Sequence, residues 1–310
     1  MADTVKNAVE QAVDGVKNLA VNNNNENEQP KPQQAKKEKK KKGADSESGR
    51  PLEMDPPPQY IADRNVIFDK VKAEQDVWIA RQPREDITVT LASGDTRIGK
   101  AWELTPAQIA RDISKSLYER TVVARVDGEL WDLDRPFEKS SKLELLDFDH
   151  PEGKKVFWHS SAHILGEACE RHYGCSLCIG PPVSDGFYYE MALPDGGAVQ
   201  AADYKPLEKV AEKAIKEKQT FERLTLTKQQ LLDMFAYNKY KQHIISDKIP
   251  DGTSTTVYRC GPLIDLCRGP HIPHAGRIKA FQIMKVCQVS THPYDQPLIF
   301  HPELRIIFPW

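Results

Sequence analysis

Apolar positions along this chain recur at two spacings, and the change from one to the other marks out its elements. Residues 1–58 show almost no such recurrence: Asn22–Asn25, Lys36–Lys42 and Pro56–Pro58 are polar, charged or proline-rich. A segment this poor in apolar surface cannot offset the entropy of ordering, so it reads as a disordered, lysine-rich extension. Val5, Val9, Ala12, Val16 and Leu19 are the exception, spaced as a short amphipathic helix that would fold on a partner. Ile67, Val71 and Trp78 then mark a connecting helix over residues 59–82.

Between residues 83 and 148 the pattern turns to alternation. Ile87–Leu91 is β-rich, Ser93-Gly94-Asp95 turns the chain, and Thr96-Arg97-Ile98 returns as a hairpin. Thr105-Pro106-Ala107-Gln108 opens a helix, with threonine as N-cap, proline at the first position and glutamine placed to complete a capping box. Ile109, Ala110 and Ile113 supply its buried face. Thr121–Val126, an Asp127-Gly128 turn, Leu130-Trp131 and Leu143–Leu146 add further strands. The unit is a small α+β sheet crossed by one helix. It carries no residues of a reaction centre, which makes it a binding or spacer module.

A second unit spans 152–285. Phe157, Ala162, Leu165, Ala168 and Cys169 form one face of a helix, and His159, His163 and Glu167 fall four apart on the neighbouring stripe. After Gly180-Pro181-Pro182, Gly186–Glu190 reads as a strand with aromatic residues on alternate faces. Leu207, Val210, Ala211, Ala214 and Ile215 line a long amphipathic helix. Leu224-Thr225-Leu226 is a strand, Thr227 starts a helix to about Tyr237, and strands are expected near Ile244 and Val257. This unit too is α+β. Residues 286–310, with Pro293, Pro297, Pro302 and Pro309, form an atypical tail.

Composition sets the bounds. A length of 310 residues with 39% hydrophobic content suits about two domains with real cores. The formal net charge of −2 conceals the Lys36–Lys42 block, which suits phosphates or a protein partner. Six cysteines without a secretory leader fit a reducing compartment. No apolar run approaches the roughly 20 residues of a bilayer span. Asp3, Glu10 and Asp14 argue against a mitochondrial transit peptide. A cytoplasmic protein with no membrane partner is expected.

The chemistry concentrates in two strings. His159 and His163 share one helix face, and Cys267-Arg268-Gly269-Pro270-His271 returns later to close a four-sided pocket. Such a quartet either binds zinc, which is held by His and Cys in sets of four, or activates a water. Cys175-Ser176-Leu177-Cys178 has redox or metal spacing, but no second pair completes a zinc ribbon, so it is assigned to the core.

Three strings together, His159-Ser160-Ser161-Ala162-His163-Ile164-Leu165-Gly166-Glu167-Ala168, Ile179-Gly180-Pro181-Pro182 with Gly186-Phe187-Tyr188-Tyr189, and Asp265-Leu266-Cys267-Arg268-Gly269-Pro270-His271, resemble the editing domain of the threonyl-tRNA synthetase family. The unit at 83–148 is similar to that family's TGS domain, a ubiquitin-like β-grasp module, and the lysine-rich leader resembles the eukaryotic cytosolic form. The resemblance implies hydrolysis of seryl-tRNA(Thr), with the aminoacylated acceptor end of tRNA(Thr) as partner and proteins as partners of the extension. It implies catalytic roles for His159, His163, Lys241, Asp265, Cys267 and His271, with Lys239 as a substitute lysine. Substrate contacts are implied for Tyr189, Gly180, Pro181 and Arg268. The resemblance implies no metal, against the zinc that ligand type alone would place at His159, His163, Cys267 and His271. Full-length members use ATP, magnesium and zinc in a class II core and carry an anticodon-binding domain. This sequence stops before either, so a truncated chain unable to make threonyl-adenylate, and needing no cofactor, is expected.

Overall fold

The computed structural model describes residues 50–288 and 300–303. The expectations for residues 1–49, including the helix from Val5, and most of those for the tail lie outside the described residues. Residues 50–58, expected to be disordered, are tied down. The Met54 N–H donates to the Arg171 carbonyl, and Glu53 pairs with Arg171 and Lys213.

Helix α1 (Gln59–Ala80) is more than a connector. Its Phe68 and Val71 are buried with Leu224, Leu226, Leu231 and Ile245, each such side chain contributing roughly 1.5–3 kcal/mol. Arg64, only 1% exposed, donates to Glu170, to the Tyr237 hydroxyl and to the Pro262 carbonyl. Trp78, expected on the apolar face, is 55% exposed in the last turn, where its ring and that of Trp102 meet edge to face.

The first domain contains β1 (Asp86–Leu91), β2 (Thr96–Lys100), α2 (Pro106–Ile113), α3 (Lys115–Arg120), β3 (Thr121–Val126), β4 (Glu129–Trp131) and β5 (Ser141–Asp147). The sheet runs β2-β1-β5-β3-β4, with β1 and β5 parallel and the other neighbours antiparallel. This is the β-grasp arrangement. Thr105 and Gln108 form the capping box read from the sequence. Ile109 and Ala110 are buried as expected, but Ile113 is 40% exposed, since the chain leaves α2 at Ser114, which caps α3 instead.

The second domain is built on α4 (Pro151–Tyr173), a helix buried on nearly every side. His150 caps its start, and Gly174 ends it in the left-handed conformation that a residue with a Cβ resists. Gly153 is needed for another reason: a Cβ there would lie 2.0 Å from the Asp147 carbonyl oxygen at the end of β5.

Two small ribbons follow, β6 (Ser176–Leu177) paired with β9 (Met191–Ala192) and β7 (Pro182–Val183) paired with β8 (Gly186–Phe187). The expected strand therefore stops at Phe187. The Tyr188 N–H instead donates to the Pro181 carbonyl, and Glu190 donates to the Ile179 carbonyl and accepts the Cys178 N–H.

Then come α5 (Tyr204–Glu217), β10 (Phe221–Thr227), α6 (Lys228–Met234), α7 (Lys239–Lys248), β11 (Ser254–Cys260) and β12 (Leu263–Leu266). Strands β10, β11 and β12 form an antiparallel sheet in that order. Ile244 lies in α7 rather than in a strand, because the Asn238 side chain accepts the Tyr240 and Lys241 N–H groups and starts a helix. Strands β13 (Lys285–Gln288) and β14 (Phe300–Glu303) pair antiparallel within the tail.

The two domains share a continuous seam. Val122 and Leu146 of the β-grasp sheet join the core around α4, and the Arg277 guanidinium donates to the Tyr118 and Glu119 carbonyls. Cys175 and Cys178 are free thiols buried in the second domain.

Candidate functional site

Helix α4 brings His159 and His163 to one side, and the turn after β12 brings Cys267 and His271 to meet them. One ligand atom from each of the four lies within 4.8 Å of the others. The Cys267 Sγ is 3.3 Å from His159 Nε2 and 3.2 Å from His271 Nε2. His163 and His271 are buried, and His159 is half-buried at the cavity wall.

The hydrogen bonds assign the His271 tautomer. Ser160 Oγ donates to the Val156 carbonyl at 2.8 Å and accepts the Ile272 N–H at 3.1 Å. Its only proton is thereby used. His271 Nδ1, 3.0 Å away, must donate to it, which leaves His271 Nε2 as an acceptor facing Cys267.

Burial keeps all three imidazoles neutral. It holds His163 down at about 3 and His159 below its ordinary value, and it lowers His271 well below that value. Burial also pushes the Cys267 thiol up, outweighing the Gly269 N–H that donates to its sulfur. The cysteine is a protonated thiol and a poor nucleophile.

Beside the quartet sits an ion pair, Lys241 Nζ to Asp265 Oδ1 at 2.5 Å, with both side chains buried. The Tyr189 hydroxyl donates to the other carboxylate oxygen. Burial pushes Asp265 up, but Lys241, His163 and the Tyr189 hydrogen bond together hold it below the usual carboxylate range. Lys239, the alternative lysine, is exposed on α7.

Tyr189 is positioned by two absences. A Cβ on Gly166 or Gly180 would come within 2.7 Å or 2.6 Å of its ring. A cavity of about 570 Å³ opens over the quartet, lined by His159, Lys241, Asp265 and Cys267, with Gly180, Pro181 and Arg268 at its wall. Seven of the ten expected residues thus line one cavity, and the other three, His163, Tyr189 and His271, are buried behind its wall.

Several neighbours escaped sequence reasoning. Lys155 lines the cavity one turn before His159, a spacing that could have exposed it. Leu130 lines it from β4 of the other domain, and Asp132 accepts the His271 N–H at 2.9 Å and the Tyr258 hydroxyl at 2.7 Å. No local signal connects residues so far apart in sequence.

The quartet fits zinc in donor type and in spacing. Its outer shell is uneven, since His271 Nδ1 is held by Ser160 while His163 Nδ1 is buried with no hydrogen-bond partner among the described residues. Metal-binding histidines ordinarily have that second nitrogen engaged. If zinc were held, His159, His163, Cys267 and His271 would hold it, and it would supply a polarised water.

Two family profiles match the chain. The TGS domain covers residues 87–147, and the threonyl and alanyl tRNA synthetase second additional domain covers residues 255–291. The architecture and these two matches thus define a protein that carries a TGS domain and the additional domain shared by threonyl and alanyl tRNA synthetases.

Among similar proteins, the cytoplasmic threonine-tRNA ligase of Saccharomyces cerevisiae is 52% identical over 247 residues, covering 76% of this chain and 34% of that protein. Cytoplasmic threonine-tRNA ligase 1 of Homo sapiens is 51% identical over 243 residues, covering 77% of this chain and 33% of that protein. The Caenorhabditis elegans cytoplasmic threonine-tRNA ligase is 52% identical over 238 residues. The chain belongs to the threonyl-tRNA synthetase family and spans about a third of the length of the curated relatives it matches.

Proposed function

We propose that this chain hydrolyses the ester joining serine to tRNA(Thr), a proofreading reaction of the cytoplasm. The supporting observation is one cavity walled by the neutral His159 imidazole and the Lys241–Asp265 pair, with the neutral His163 and His271 rings buried behind it. Serine lacks one methyl group of threonine, and a pocket that admits threonine rejects serine by only about 1–3 kcal/mol. A second, tighter pocket that admits serine alone supplies the missing discrimination.

In this reading a water at the cavity wall gives its proton to the His159 imidazole as its oxygen attacks the ester carbonyl. The developing oxyanion is stabilised by the Lys241 ammonium. The carbon–oxygen bond to the ribose then breaks, and the proton passes from the imidazole to the departing hydroxyl. Asp265, ionised at neutral pH, holds the substrate's α-ammonium, and the Tyr189 ring fills the space that threonine's methyl would need. Cys267 shapes the pocket and does not attack. The reaction proceeds without metal or other cofactor. Arg268, exposed at the mouth, meets the acceptor-end phosphates.

The test is deacylation of seryl- and threonyl-tRNA(Thr) by the purified chain. Release of serine but not threonine, lost in His159→Ala with His163→Ala, is the expected result; release of neither amino acid overturns the reading and favours a non-catalytic RNA-binding role.

A further inference from the structure

Away from the editing cavity, a separate cleft of about 530 Å³ lies along the seam between the two domains. Its walls come from the end of α3 and the start of β3 on one side, and from the end of α5 and the turn around Ala275–Arg277 on the other. Arg120, Lys218, His274, Arg277 and Lys279 line it. The one carboxylate in the lining, Glu119, lies 3.7 Å from exposed Lys115.

Among the described residues, Arg120, Lys218 and Lys279 have no carboxylate within ion-pair distance. Two of these cations, Lys218 and Lys279, act with Arg277 and Arg111 on a single group. His274, lowered first by burial, is lowered further by Arg277, Lys218, Lys279 and Arg111. His274 Nδ1 and Arg277 Nε are each buried without a hydrogen-bond partner among the described residues. Gly276 keeps the space between them open, since a Cβ there would lie 2.7 Å from Lys218 Cγ and 3.0 Å from His274 Nδ1.

Concentrated positive charge without paired carboxylates is complementary to phosphoryl oxygens. We propose that this seam cleft is an anion site that takes the phosphodiester backbone of an RNA. Several cations strung along both domains suit a polyanion with regularly spaced charges better than one small anion. The inference shares only its RNA partner with the proofreading reading and requires no hydrolysis.

The experiment measures binding of uncharged tRNA transcript to the full chain by fluorescence anisotropy between 50 and 200 mM KCl. Removing each phosphate-contacting cation should reduce the slope of log K against log salt by about one. Arg120→Ala with Lys218→Ala and Lys279→Ala should therefore reduce it by about three. Arg277 is left intact because it ties the two domains together. Lys70→Ala with Lys139→Ala and Lys248→Ala, three cations elsewhere, should leave the slope unchanged. An unchanged slope in the cleft variant, or an equal loss in the control, overturns the proposal. So does inorganic phosphate binding that the cleft variant loses while its RNA slope stays at the wild-type value, because the cleft would then be a free-phosphate site. None of these readouts depends on seryl-tRNA being hydrolysed.

Discussion

The Tyr258 hydroxyl donates to Asp132 Oδ2 at 2.7 Å, and the other oxygen of the same carboxylate accepts the His271 N–H at 2.9 Å. One side chain of the β-grasp domain thus holds both a strand of the second domain and the backbone of a quartet histidine. Tyr258 in turn packs under Gly269, whose missing side chain leaves room for the phenol. Asp132→Ala should free the Cys267–His271 turn. Losing a buried acceptor costs about 1–3 kcal/mol, so seryl-tRNA deacylation should fall roughly 5- to 150-fold. Asp132→Asn keeps an acceptor for the His271 N–H and should recover most of the rate; an Ala variant as fast as the wild type would show that the turn holds itself.

Arg64 and Glu170 form an ion pair with almost no solvent contact. Arg64→Met strands a buried carboxylate, at a cost of about 3–5 kcal/mol. For a domain of this size the melting temperature should drop by roughly 6–20 °C. Arg64→Met with Glu170→Leu should melt closer to the wild type than the single variant does, and a double variant no more stable than the single would refute the pairing argument.

Glu167 gives the stability a pH dependence of known sign. Burial raises its carboxyl from 4.5 to about 7, against the opposing pull of Gln219 and Arg171. A folded-state value above the unfolded one means that the stabilisation is fully present below pH 4.5 and is lost as pH rises through about 7. Urea midpoints at pH 5, 6, 7 and 8 should decline for the wild type more steeply than for Glu167→Gln. Parallel profiles would place Glu167 at an ordinary carboxylate value.

Gly180→Ala inserts a methyl where the Tyr189 ring lies. Overpacking of this kind costs about 1–3 kcal/mol. The ring, and with it the hydroxyl bonded to Asp265, should move. We expect serine release to slow while the global melting temperature changes by less than it does in Arg64→Met. Retention of the full rate would show that Tyr189 does not shape the pocket.

Chelator dialysis separates water activation by imidazole from activation by metal. The metal-free reading expects an unchanged deacylation rate, and metal analysis of the purified chain should find less than stoichiometric zinc. A rate lost to chelator and restored by zinc would reassign the quartet as a metal centre.

Much of the pocket was legible from spacing. Helical periodicity placed His159 and His163 together, and the Thr105-Pro106-Ala107-Gln108 string announced its helix before any coordinate. Where local pattern misled, a cap or an ending had decided the matter: Asn238 starts a helix across Ile244, and Ser114 removes Ile113 from the buried face. Hidden altogether were features with no local signature. Arg64 reads as a surface residue until Glu170 is found 106 residues away, and Asp132 reads as a turn residue until its bond to His271 is seen. Burial of a charge is a property of the partner, and the partner is chosen by the fold.

Gly153 carries a mechanical meaning. The Asp147 carbonyl oxygen stands 2.0 Å from the place of its missing Cβ, at the crossing from the β-grasp sheet to the histidine helix. Any side chain at this position would have to push the sheet and the helix apart, so the spacing between the smaller domain and the cavity is set by a residue that has no side chain at all.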